Sequence, residues 1–119
     1  TLPVVLCHAG SPWDQSRTGL ENWRNGLEKF AALPNTYCKL SGLGMFNPRW
    51  DETALRPIIL RVLETFGPTR VMFGSNFPVD KLYNNYSYLW QTYDRVTADF
   101  SAAERQHMFC STAENFYRI

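Results

Sequence analysis

Seven side chains in this sequence stand where chemistry can be done: His8, Trp13, Lys39, Ser41, Ser75, Asn76 and Asp80. His8 follows the run Val4-Val5-Leu6-Cys7 and precedes Ala9-Gly10. An imidazole at the end of a buried strand can bind a metal, act as general base or polarise a carbonyl. A core His held by a backbone carbonyl is the equal alternative. Lys39 and Ser41 share the stretch Thr36-Tyr37-Cys38-Lys39-Leu40-Ser41. Strand alternation puts Tyr37, Lys39 and Ser41 on one face and Cys38, Leu40 and Gly42 on the other. A buried ammonium has to be paired or neutral. Lys39 therefore meets a carboxylate of substrate or site, or snorkels to the lower end of the sheet and pairs there, the second being favoured. Ser41, nearer the strand end, is assigned to substrate oxygens.

The third constellation is Gly74-Ser75-Asn76-Phe77-Pro78-Val79-Asp80. Ser75 closes a strand and is grouped with the substrate-binding hydroxyls. Asn76 donates and accepts hydrogen bonds but is no base at neutral pH. Asp80 either folds back over the site as a base or caps the next turn, the cap being favoured. Trp13 is an aromatic wall for a cyclic substrate or simple loop packing. Asp14 and Arg17 read as a loop ion pair of little energetic weight. His107, beside Met108 and Phe109, reads as structural.

These residues need elements to position them. Three short segments have the β-branched and aromatic make-up of buried strands: Pro3 to His8, Thr36 to Ser41 and Arg70 to Ser75. Such runs, apolar on both faces, suit a parallel sheet. Between them lie helical stripes: Leu20, Trp23, Leu27, Phe30 and Ala31, then Leu55, Ile58, Ile59, Val62, Leu63 and Phe66. Pro57 is expected in the first turn of the second stripe. A third stripe runs from Leu82 through Tyr86, Leu89, Trp90 and Tyr93 to Val96. Ser101-Ala-Ala-Glu104 is a capping-box pattern, and Ser111-Thr-Ala-Glu114 predicts a break and a new short helix.

The order β-α-β-α-β-α-α has strand ends at His8, Ser41 and Ser75, repeats of 33 and 34 residues. A (β/α)₈ barrel of about 250 residues spends roughly 31 on each unit. The period fits such a barrel, but three units cannot close one. In barrels and open α/β sheets alike, reactive side chains gather at the strands' C-terminal ends.

Composition removes other classes. The chain has 119 residues, 45% apolar and 15% aromatic, ample for a core and foreign to disorder. Twelve basic residues against eleven acidic leave a net charge of +1, no footprint for nucleic acid. No apolar run approaches the roughly 20 residues of a membrane span. No signal peptide is visible, and a start at Thr1 rather than Met reads as a fragment boundary. The three cysteines, Cys7, Cys38 and Cys110, form no CxxC pair and read as reduced, buried side chains of a cytoplasmic protein. Phosphate-loop, dinucleotide, zincin and serine-hydrolase motifs are absent.

Four phrases, in this order and spacing, resemble one family. They are Val4-Val5-Leu6-Cys7-His8-Ala9-Gly10, Asn35-Thr36-Tyr37-Cys38-Lys39-Leu40-Ser41-Gly42-Leu43, Phe66 through Val79 with its Gly74-Ser75-Asn76-Phe77-Pro78, and Thr112-Ala113-Glu114-Asn115-Phe116-Tyr117-Arg118. The chain is similar throughout its length to the amidohydrolase-related (amidohydrolase 2) TIM barrels, which include sugar and dicarboxylate lactonases. The resemblance implies that residues 1–119 are the C-terminal part of such a barrel, about strands six to eight. It implies a lactone hydrolase acting on a small cyclic ester in sugar or aromatic catabolism. A non-oxidative decarboxylase and a silent half-barrel are the alternatives. His8 would polarise the carbonyl, Lys39 and Ser41 bind substrate oxygens, and Asn76 or Asp80 position water.

A divalent metal is also implied by the family. However, Asn76 stands where many members carry the Asp that serves as base or ligand. No metal ligand or cofactor is therefore assigned, and Asp80 is left as the nearest carboxylate. Ser11 stands where some dicarboxylate lactonases carry Arg, which points away from a dicarboxylate. The expected partners are a small-molecule substrate and the rest of the barrel, with self-association through open edges; neither nucleic acid nor membrane is expected.

Overall fold

The computed structural model describes residues 2–119. Three strands, β1 (Val4–Leu6), β2 (Thr36–Leu40) and β3 (Val71–Phe73), form one parallel sheet in that order. Leu6 lies beside Cys38, Lys39 beside Met72 and Leu40 beside Phe73. Each ladder stops short of the polar strand ends that the sequence suggested. Arg70 belongs to a 3-10 turn, Pro68–Arg70, rather than to β3.

One face of the sheet carries the helices α1 (Arg17–Ala31), α2 (Glu52–Phe66) and α3 (Tyr86–Val96). Each begins at a polar cap that accepts an otherwise unpaired N–H. Ser16 accepts from Gly19, Asp51 from Ala54 and Asn85 from Tyr88. Leu27, Ile59, Val62, Leu63 and Tyr93 from the helices meet Cys38, Leu40 and Val71 of the sheet in one buried core. Phe73 stacks on Tyr93 at 4.3 Å and lies 4.8 Å from Phe109.

The chain ends as α4 (Ala102–Gln106), a π-turn over His107–Ser111, and α5 (Thr112–Tyr117). Ser101 and Glu104 form the expected capping box. Ser111 caps nothing: its backbone is helical, and the chain runs through the π-turn without the expected break. The extra residue of that turn lets Met108 pack into the core while Thr112 donates to the Pro68 carbonyl at 3.0 Å. Thus α5 is anchored beneath β3, and its aromatic tip reaches the sheet's second face, with Phe116 at 5.1 Å from Tyr37.

Two further expectations are corrected. Pro57 is the sixth residue of α2, because Asp51 caps that helix a turn earlier than the apolar stripe begins. Leu82 is 81% exposed in a 3-10 turn, Val79–Leu82, because Asn85 starts α3 only after it.

Candidate active site

Three strand ends bend the backbone the same way. After β1, His8, Ala9, Gly10 and Ser11 all have positive φ, between 53° and 73°. After β2, Gly42 has φ 64°, and after β3, Asn76 has φ 56°. Left-handed backbone is strained for residues that have a Cβ, so a His and an Asn held there are over-determined by their surroundings. Sharp turns of this kind place His8, Ser41 and Asn76 at one end of the sheet.

His8 Nδ1 lies 3.0 Å from the Ser41 hydroxyl, which is 2% exposed. The ring thus pairs with a side chain of the next strand end rather than with a backbone carbonyl. Nε2 has no protein partner among the described residues. Gly42 is what allows this seat: a Cβ there would stand 2.6 Å from His8 Nδ1 and 2.7 Å from Met45 Cε. Gly74 gives similar room, since its Cβ would lie 3.2 Å from that of Ser41.

Asn76 donates through Nδ2 to Asp80 Oδ1 at 2.9 Å and lies 3.7 Å from Met45 Sδ. Asp80 is 4% exposed. Of the two readings of Asp80, base or cap, the favoured cap is not seen, since its side chain caps no turn; it is buried, with one oxygen accepting from Asn76. Its charge, after burial itself, helps push the Tyr93 phenol far above the usual tyrosine range. The Tyr93 hydroxyl bridges the strand ends, lying 3.0 Å from the Gly74 carbonyl and 3.3 Å from that of Leu40. Reading Tyr93 as core by its helical spacing was correct for the ring but blind to the hydroxyl.

The remaining candidates separate. Ser75 accepts from the Phe77 N–H at 3.2 Å, so its oxygen shapes the turn that carries Asn76. Lys39 lies on the second face of the sheet, where its ammonium is bound to the Tyr117 hydroxyl and lies 4.9 Å from that ring's centre. Trp13 is 66% exposed and meets Phe46 edge-on at 4.7 Å, an aromatic rim on the loops after β1 and β2. Phe46, Met45 and Gly42 escaped the sequence reading, because their roles depend on a neighbouring strand end. Asp14 accepts from the Ser16 N–H and Arg17 pairs with Glu21, so the expected loop ion pair is absent. Cys38 is buried as expected, while Cys7 is exposed just past β1.

The amidohydrolase family model matches residues 1–119. The chain belongs to the amidohydrolase family. It is 40% identical over 118 residues to an uncharacterised protein, y4mH, of Sinorhizobium fredii, covering 99% of this chain and 39% of that one. It is 38% identical over 129 residues to an L-fucono-1,5-lactonase of Burkholderia multivorans, covering 98% of this chain and 43% of the relative. A crystal structure of an amidohydrolase from Burkholderia multivorans with bound zinc superposes with a TM-score of 0.92 at 34% identity. It covers 99% of this chain and 44% of that one. The chain thus spans about two fifths of the length of the relatives it matches, and its three βα units correspond to part of an amidohydrolase TIM barrel.

The family implies a metal, and the donors in this chain bear on whether it could be held here. Among the described residues no three of His, Cys, Asp or Glu converge as ligands. His8 offers one nitrogen, and the Asn76 amide is a poor zinc ligand beside His, Cys or carboxylate. The described residues of this chain do not by themselves make a metal site. Nor is any helix among the described residues long and apolar enough to cross a membrane.

Proposed function

We propose that residues 1–119 supply three βα units of a lactonase barrel that opens a sugar 1,5-lactone with water. The observation that carries this is the His8–Ser41 pair at 3.0 Å, held on strained strand-end backbone at the barrel's active rim. The lactonase name of a relative at 38% identity supports the substrate class. In this reading water adds to the lactone carbonyl, the ring C–O bond breaks, and the proton goes to the leaving ring oxygen, giving the open hydroxy acid. Ser41 fixes the imidazole through Nδ1 and leaves Nε2 to polarise the carbonyl oxygen. Asn76 contacts substrate or water, and Trp13 with Phe46 forms an apolar wall against the sugar ring. The rest of the barrel completes the site. A cytoplasmic setting is part of the proposal, and rests on three cysteines without a pairing motif.

The test is hydrolysis of L-fucono-1,5-lactone and related aldonolactones by the full-length protein, followed by acid release. His8→Ala should lower turnover at least about a hundredfold, as loss of a polarising group does. Carbon dioxide release instead of ring opening would overturn the lactonase reading in favour of a decarboxylase.

A further inference from the structure

An amide looks symmetrical to its neighbours until one of them can only accept. Asp80, as a carboxylate, is such a neighbour. Its Oδ1 lies 2.9 Å from the Asn76 amide, so the atom facing it has to be Nδ2. The same nitrogen points toward Met45 Sδ at 3.7 Å, a weak acceptor. Both N–H bonds of Asn76 are thereby directed into the protein. Its Oδ1 takes no partner among the described residues and is not a buried orphan.

Asp80 itself cannot drift. Its N–H donates to the Asn76 carbonyl at 3.0 Å, and its own carbonyl accepts from Tyr83 at 3.0 Å and Asn84 at 3.2 Å. Tyr83 in turn packs so tightly on the β2 loop that a Cβ at Gly44 would come within 2.7 Å of its ring. The carboxylate is 4% exposed, so little water competes for it.

We propose that Asp80 is a positioning residue: it locks the Asn76 amide so that only the carbonyl oxygen faces the mouth, where it reads a hydrogen-bond donor. The partner there is an O–H, either of a substrate hydroxyl or of the attacking water, and not an anionic oxygen. This deepens the lactonase reading and rests on it for the identity of the site. Asp80 acts through Asn76 and takes no proton from water.

A charge-conserving swap tests it. Asp80→Asn lets the Asn76 amide turn over, because an amide partner both donates and accepts. Lactone kcat/KM should fall about tenfold to a hundredfold, the range of one lost charge-assisted hydrogen bond. Adding Asn76→Asp to that variant restores the pattern: the new amide donates to one carboxylate oxygen and leaves the other facing the mouth. The double variant should regain at least about tenfold over Asp80→Asn, without a matching change in melting temperature. Equal activity of single and double variants, or activity tracking stability alone, would overturn the proposal. A second readout needs no turnover. In the wild-type protein one Asn76 side-chain amide proton should resonate downfield, bound to carboxylate, and lose that shift in Asp80→Asn. An unshifted pair would overturn the inference. If no lactone is opened at all, the lactonase reading fails while the amide resonances still decide the Asp80–Asn76 couple.

Discussion

At the scale of single residues, the site depends on backbone that side chains resist. Gly42 shows this most directly, with φ 64° and a neighbour 2.6 Å from where its Cβ would stand. Gly42→Ala meets two penalties, left-handed backbone of about 1–2 kcal/mol and displacement of the His8 ring. Turnover should fall as far as in His8→Ala, about a hundredfold, while His8→Ala itself changes melting temperature little. Paired kinetics and thermal melts of the two variants check this; a fully active Gly42→Ala would show that His8 has another seat. Cys38 makes a residue-scale prediction of a different kind. Burial, and then the neighbouring Cys7, push its thiol from 9.0 up to about 12. The folded state therefore holds this proton where the unfolded chain has released it. The stability it contributes is complete below pH 9 and is lost as pH rises toward 12. Between pH 9 and 10 the loss should be about 1 kcal/mol, measured as a falling urea midpoint. Cys38→Ala should flatten that slope, and an unchanged slope would assign it elsewhere.

At the scale of elements, the helix ends are held by side chains from other elements. Thr36 donates to the Leu33 carbonyl at 2.9 Å and to that of Phe30 at 3.1 Å, closing the C-terminal end of α1. Arg70 donates to Ala31 at 3.0 Å and to Phe66 at 3.1 Å, while its guanidinium lies 5.5 Å from the Phe66 ring. One side chain thereby ties the ends of α1 and α2 to the foot of the sheet. Arg70→Ala should destabilise by about 2–4 kcal/mol, since a charged donor to two part-buried helix-end carbonyls contributes more than a neutral one. Arg70→Lys should recover less than half, because an ammonium cannot fork to two helices. Denaturant unfolding of both variants decides it. The pairs of Glu52 with Arg56 and Arg95 lie at the surface and contribute little by comparison. Arg70 was legible as part of a recurring phrase, but its partners were not. Phe66 is four residues away, but Ala31 and Thr36 lie more than thirty residues away.

At the scale of the whole molecule, the sheet among the described residues ends in two edge strands, β1 and β3, each paired on one side only. Beside β1, a hollow of about 400 Å³ is lined mostly by apolar groups, Leu6, Trp23, Leu27 and Phe30 among them, with Asn22 the polar member. Open edges and apolar hollows are what a neighbouring βα unit covers, and left uncovered they recruit other chains. The second face is less open than three strands alone would leave it, because Phe116 and Tyr117 of α5 lie against Tyr37 and Lys39. The isolated 119-residue chain should therefore self-associate or melt over a broad range, and the full-length protein should do neither. Sedimentation and calorimetry of both check this; a monomer with a sharp, cooperative melt would show that α5 and the helices suffice.

Local rules account for the order of elements, the parallel sheet and the capping box at Ser101, whereas the caps at Ser16 and Asp51 escaped the sequence reading, and Asp51 moved the start of α2. Apolar spacing and a capping box are properties of neighbours in sequence, so they can be read there. The same holds for the split faces of β2, since a strand alternates by geometry alone. The phrases around His8, Ser41 and Asn76 were enough to suggest the family. The site's working detail was decided elsewhere, by contacts between strand ends 33 and 34 residues apart. Whether Lys39 met substrate or Tyr117 depended on where a π-turn aimed the last helix. Whether Asp80 was a base or an anchor depended on burial, and burial is a property of the packed layers. A hydrogen bond such as that of His8 to Ser41 exists only once two separate turns have closed on each other.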